Sequence, residues 1–195
     1  MKYRILSFAL ALLMFAFALS SCTSSQDNFE SFWSAVKKFD IEKMSKYVDT
    51  GSLSYMDGVS SYAGLLSEEQ TEIVKTLFSN IEYSYNTEPL AEAKSYDIKL
   101  SYVDVALLIN TVEENMAIGT GNASKYIKEI IDSGAFEARY IKKANVKVSL
   151  SDECKIVLGY IGENGDLTRL LSIDAFLRWY AAQRYGRIFY GIQQE

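Results

Sequence analysis

Two hydrophobic periods alternate along the chain, and the switches between them mark its elements. Phe29, Phe32, Trp33, Val36 and Phe39 recur at the spacing of one helical face. Asp40 follows in a capping position, ahead of Ile41, Met44 and Val48 on a shorter apolar stripe. Residues 49–66 keep neither period and carry Gly51, Gly58 and Gly64 among serines, which predicts a loop. Tyr55, Met56, Tyr62, Leu65 and Leu66 predict that this loop folds back on the domain or lines a pocket. Ser67-Glu68-Glu69-Gln70 is a capping-box pattern, opening a helix with Ile73, Val74, Leu77 and Phe78 inward.

The period then falls to two. Over residues 81–87, Ile81, Tyr83 and Tyr85 oppose Glu82, Ser84 and Asn86. Over 96–103, Ile98, Leu100 and Tyr102 oppose Asp97, Lys99 and Ser101. Such alternation predicts antiparallel strands with one dry and one wet face. Asp104 caps a helix over 105–118, broken by Gly119-Thr120-Gly121. Asn122 caps the next, and Gly134 ends it. Residues 136–150 read as mostly extended, and 154–161 as a strand paired beside them. Residues 167–171 are ambiguous, and 174–185 form a last helix with Gly186 at its end. The order predicts an α+β domain: a curved antiparallel sheet of about four strands packed against helices.

The N-terminus has a different character. Lys2 and Arg4 precede an apolar run from Ile5 to Leu19, interrupted only by Ser7. At about 15 residues it is shorter than the roughly 20 a bilayer-spanning helix needs, and it fits the core of a secretory signal peptide. Leu19-Ser20-Ser21-Cys22 follows at once. This resembles the lipobox of bacterial lipoproteins, with an aliphatic residue at −3 and small residues before a cysteine. The resemblance implies cleavage before Cys22, lipid on its sulfur, and attachment to the extracytoplasmic face of a bacterial membrane. The expected organisation is a signal peptide over 1–21, a lipidated tether over 22–28 and one domain over 29–195. Cleavage takes Lys2 and Arg4 from the 20 basic residues and none of the 25 acidic ones, moving the net charge from -5 to -7. A surface of that sign does not seek anionic headgroups, so lipid must supply the attachment. It also argues against a nucleic-acid groove.

The phrase from Phe32 to Val48, with Trp33, Lys37, Asp40, Lys43 and Tyr47, is similar to the opening of small bacterial lipoproteins with an NTF2-like, cystatin-like cone. Phe39 stands where those proteins usually have a small residue. The resemblance extends loosely to residues 96–105 and 145–161. It implies a cone whose open end takes a small apolar molecule, and no settled activity.

Composition narrows the chemistry. The absence of histidine excludes histidine triads and histidine-ligated zinc. Two cysteines are too few for a thiolate cluster. Cys154, unpaired once Cys22 is lipidated, reads as a small buried apolar residue on a strand. Some NTF2-like relatives use an Asp base with a Tyr donor. Tyr83, Tyr85 and Tyr102 with Asp97 or Asp104 are the pairs available, although Asp104 is accounted for as a cap. The acid pairs Glu68-Glu69 and Glu113-Glu114 do not share a helix face. Asp152-Glu153 and residues 163–166 read as turns and lack EF-hand spacing. Neither a catalytic constellation nor a cofactor is implied. The expected function is a non-enzymatic binding domain for a small apolar ligand or an envelope protein, with Trp33, Tyr83, Tyr85 and Tyr102 lining its pocket. The alternative is a structural protein that dimerises through its sheet.

Overall fold

Helix starts in this domain are set by side chains that satisfy free backbone N–H groups. The computed structural model describes residues 24–158 and 167–190. Helix α1 (Ser25–Lys37) opens on a capping box in which Ser24 and Asp27 each accept from the other's backbone N–H. Residues expected to belong to the tether are therefore its first turn. They carry no apolar stripe, so only the Ser24/Asp27 spacing marks the start. Asp40 caps α2 (Ile41–Lys46), and Ser67 with Gln70 caps α4 (Glu68–Ser79). Asp104 caps α5 (Val105–Ile118), and Asn122 caps α6 (Ala123–Asp132). All four match the sequence reading.

The expected loop over 49–66 is instead a 3-10 turn (Thr50–Ser52) running into helix α3 (Leu53–Ala63). The Asp49 carboxylate accepts from the N–H groups of Gly51 and Ser52 and nucleates it. Only Met56 and Val59 of α3 are buried, too narrow a stripe to read as a period. Its partner is the distant helix α9 (Ile173–Tyr190), against which it packs. Helix α9 starts one residue before the expected 174 and runs past both 185 and Gly186. Residues 136–150 are not extended throughout. Phe136 and Tyr140 stack one turn apart on helix α7 (Phe136–Tyr140), with centroids 5.8 Å apart, before strand β3 (Ile141–Ser149) begins. Helix α8 (Leu167–Leu171) resolves the ambiguous stretch.

Strands β1 (Glu82–Tyr85), β2 (Ser95–Val103) and β3 form an antiparallel sheet in the order β1-β2-β3. Three strands are present among the described residues. The fourth was expected over 154–161; of its described part, Ile156 makes isolated bridges to Leu150 and Val48, and residues 159–161 lie outside the described residues. The register sets Tyr96 across from Val148, Ile98 from Val146 and Leu100 from Ala144 on the inner face. Glu82, Ser84, Asp97, Lys99, Lys143, Asn145 and Lys147 are exposed on the outer face, with Asp97 directly opposite Lys147. Pairing of opposite charges is mildly favourable there.

The core between helices and sheet includes Phe29, Ile98, Leu100, Leu108, Ile127, Phe176 and Tyr180, all fully enclosed. Polar contacts lock distant segments through it. The Gln70 side-chain amide donates to the Tyr180 carbonyl at 3.0 Å, and the Ser124 and Tyr180 hydroxyls lie 2.8 Å apart. Ser52 Oγ contacts Asp49 and accepts from the Leu158 N–H at 2.8 Å.

Helix α1 ends on a Schellman motif. Phe39 N–H donates to the Val36 carbonyl, and Asp40 N–H to that of Ala35. Phe39 is thereby held at φ 53°, a left-handed conformation that glycine adopts freely. Its ring lies flat on Phe78, with centroids 5.6 Å apart, and the residue is 7% exposed. Left-handed strain costs about 1–2 kcal/mol in a non-glycine residue, and truncating a buried Phe costs about 3–5 kcal/mol. The ring outweighs the strain. Phe39→Gly is expected to lower stability in urea melts by about 2 kcal/mol; a gain would show that the Phe78 contact contributes little.

Candidate functional site

One ring organises the aromatic wall. Phe29 projects from α1 onto the inner sheet face, with centroids 4.7 Å from Tyr96, 5.4 Å from Tyr83, 5.7 Å from Tyr85 and 6.1 Å from Trp33. Trp33 and Tyr83 are 5.4 Å apart, and Tyr83 and Tyr85 5.6 Å. These are the spacings of touching rings. Trp33, Tyr83 and Tyr85, expected to line a pocket, are brought together and interlock around Phe29. Tyr102 lies further along β2, across from Lys142, half-buried against the core. Phe29 and Tyr96 belong to the cluster and were not singled out as site residues. The signal for both was present: Phe29 shares the stripe of Trp33, and Tyr96 the face of Ile98.

The Trp33 indole Nε1 is enclosed in this wall without a hydrogen-bond partner, while the enclosed Tyr85 hydroxyl has the neighbouring Tyr83 phenol beside it. Burial pushes both the Tyr83 and Tyr85 phenols above the usual tyrosine range. Beside each other at the rim, these phenols are neutral near pH 7 and offer O–H groups. Tyr83 and Tyr85 sit on the four-residue edge strand β1 and are half-buried, whereas Trp33 is sealed beneath.

Next to this wall lies a cleft of about 400 Å³, lined by Ser24, Ser25, Glu92, Lys94, Asp152 and Cys154 among others. Three hydrogen bonds join its walls to the body. Ser25 N–H donates to the Ala91 carbonyl at 3.0 Å, the Asn28 side chain to that of Cys154 at 3.1 Å, and the Tyr96 hydroxyl to that of Leu90 at 2.8 Å. Lys94 and Asp152 form an exposed ion pair across the rim. Cys154 is not a buried strand residue as expected. It is half-buried in a turn closed by its N–H on the Ser151 carbonyl, and holds φ 59°.

The Asp–Tyr pairs considered for catalysis are not assembled. Asp97 is on the wet face of the sheet, and Asp104 accepts from the Leu107 N–H and lies 3.9 Å from Lys142. Glu69 pairs with Lys128, and Glu113 accepts from the Trp179 indole at 2.8 Å. Among the described residues no group of three or more acidic or cysteine side chains is placed to hold a metal ion. No helix among them is long and apolar enough to cross a membrane. Leu19, Ser20, Ser21 and Cys22 lie outside the described residues, as do residues 163–166. No protein-family model matches the chain, nor does any curated protein or solved structure.

The two tyrosine environments give different expectations. Tyr85→Phe deletes a hydroxyl that has only the half-buried Tyr83 phenol beside it and is expected to change stability by less than about 1 kcal/mol. Tyr180→Phe strips Ser124 of its partner and is expected to cost about 1–2 kcal/mol. Burial also raises the Tyr180 phenol to about 12. Its folded value thus lies above the unfolded value of about 10. The stabilisation from this shift is complete below pH 10 and is lost as pH rises from 10 towards 12. Denaturant midpoints across that window should fall more steeply in the wild type than in Tyr180→Phe; equal slopes would assign the loss to other groups.

Proposed function

We propose that the chain is an extracytoplasmic bacterial lipoprotein, anchored through Cys22, whose domain binds a small, largely apolar ligand without catalysis. The binding half rests on one observation. The sealed Trp33 indole N–H has no partner within an otherwise apolar aromatic wall. Native interiors satisfy nearly all such groups, because an orphaned one costs about 1–3 kcal/mol. A ligand bearing an acceptor oxygen supplies the missing partner. It enters by displacing Tyr83 or Tyr85 on the short edge strand, where the wall is thinnest. The finer form of the reading is an NTF2-like cone, closed on a fourth side by the chain around Ile156.

The anchoring half rests on Lys2, Arg4, the apolar run to Leu19, and the Leu19-Ser20-Ser21-Cys22 lipobox. Dimerisation through the sheet draws no support from the outer face. Its exposed residues are Glu, Asp, Lys, Ser and Asn rather than a row of Tyr and Val.

Both halves have direct tests. Labelled palmitate fed to expressing bacteria should enter the wild type and not Cys22→Ser; equal labelling would end the anchoring reading. For binding, lipids, quinones, sterol-like molecules and short peptides are screened by thermal shift on a fragment starting at Ser24. A ligand present at a hundred times its dissociation constant should stabilise the fold by about 2.7 kcal/mol. Trp33→Phe removes the donor while keeping a ring, so it should remain folded and lose most of that shift. A panel without hits, or hits indifferent to Trp33→Phe, would overturn the ligand reading.

A further inference from the structure

The loop between β1 and β2 holds an apolar side chain out from the protein by design of its backbone. Leu90 is 70% exposed, and it stands with Pro89 and Ala91 between Glu88 and Glu92. The loop is not loosely attached. The Leu90 carbonyl accepts from the Tyr96 hydroxyl at 2.8 Å and from the Ala93 N–H at 3.2 Å. The next carbonyl, that of Ala91, accepts from Ser25 N–H at 3.0 Å. These bonds fix the main chain against the body at Leu90 and the residue after it, and leave the isobutyl group facing solvent. Scattered exposed leucines need no explanation. What distinguishes this one is the residue that holds it.

Ser25 is the first residue of α1, and Ser24 is its cap. Only Thr23 separates Ser24 from Cys22. Two chain steps reach at most about 7 Å. Under the lipoprotein reading, on which this inference rests, the acyl chains therefore leave the protein within about 10 Å of the Ser25–Ala91 bond. A seven-residue tether would let the domain tumble above the bilayer. One intervening residue, fixed at its far end by a capping box, does not.

We propose that the Leu90 loop is the membrane-contacting edge of the domain, with Leu90 seated in the interface between headgroups and acyl chains beside the lipidated Cys22. The charge around it selects the surface. Glu88 and Glu92 flank the leucine, and Lys94 is paired with Asp152. Free carboxylates beside an inserted leucine disfavour anionic lipid and accept hydrogen bonds from the ammonium groups of an amine-bearing zwitterionic headgroup. The cleft lined by Ser24, Ser25, Lys94, Asp152 and Cys154 then opens towards the same headgroups. Lys143, across from Ser101, lies about 20 Å along the sheet from Ser95 and is held clear of the surface.

The test uses the full chain, lipidated in bacteria and reconstituted in phosphatidylethanolamine-rich vesicles carrying radiolabelled phospholipid. A photo-crosslinking amino acid replaces Leu90 in one variant and Lys143 in another, and palmitate labelling is read on the same material. The expected result is palmitate on both variants, phospholipid crosslinked at 90 and none at 143. A Gly-Ser spacer of about ten residues inserted after Thr23 should weaken the crosslink at 90 several-fold, because it releases the domain from the surface. Palmitate without a lipid crosslink at 90, equal crosslinking at 90 and 143, or a crosslink to protein in place of lipid in native membranes would overturn the loop's role and leave the anchor standing. Absence of palmitate would overturn both.

Discussion

Everything else in the domain is arranged around the seating of Phe29 against Tyr83, Tyr85 and Tyr96. A small sheet with one wet face is not stable alone, so its inner face must be covered. The first helix does this with rings. Phe29 touches residues from β1 and β2 together, and the same helix brings Trp33 onto Tyr83. That contact orients α1, and the orientation brings Ser25 to the Ala91 carbonyl and Asn28 to that of Cys154. The cleft and the Leu90 loop are consequences of where one ring lands.

The same contact explains why the wall is both rigid and incomplete. Aromatic rings fill space efficiently, but an indole brings an N–H and a phenol an O–H wherever they go. Elsewhere the fold provides partners: Tyr96 reaches the Leu90 carbonyl, Tyr180 reaches Ser124, and the Trp179 indole reaches Glu113. The cost of an unpaired donor is thus avoided at three aromatic residues and left standing at Trp33. The contrast within one molecule is what makes that atom informative.

The legible parts of the sequence were those governed by local chemistry. Capping residues at Asp40, Ser67, Asp104 and Asn122 name their own helices, because a cap and its free N–H groups lie within three residues of each other. Strand faces at Tyr83, Ile98 and Leu100 were equally readable from alternation. Helix α3 was not, because it buries only Met56 and Val59 and owes its place to α9, more than a hundred residues later. The stretch at 154–161 had the composition of a strand, yet Ile156 bridges Val48 as well as Leu150. No local pattern encodes a parallel bridge to a residue so distant. Of the aromatic wall, Phe29 and Tyr96 were not foreseen as site residues, whereas Trp33 and the β1 residues Tyr83 and Tyr85 were. That they would close around Phe29 depended on the angle of α1 to the sheet.

The placement of Tyr180 bears on how the molecule comes into being. Its side chain is fully enclosed, and its carbonyl and hydroxyl are tied to Gln70 and Ser124. A chain that emerges N-terminus first offers α4 and α6 long before α9 exists to cover them. Through that interval Phe78 lacks the edge contact of the Phe176 ring. The Ser124 hydroxyl meanwhile can bond only to water. Closure of this part of the core therefore waits for α9, and a chain that has not reached it leaves apolar surface open to aggregation and cleavage.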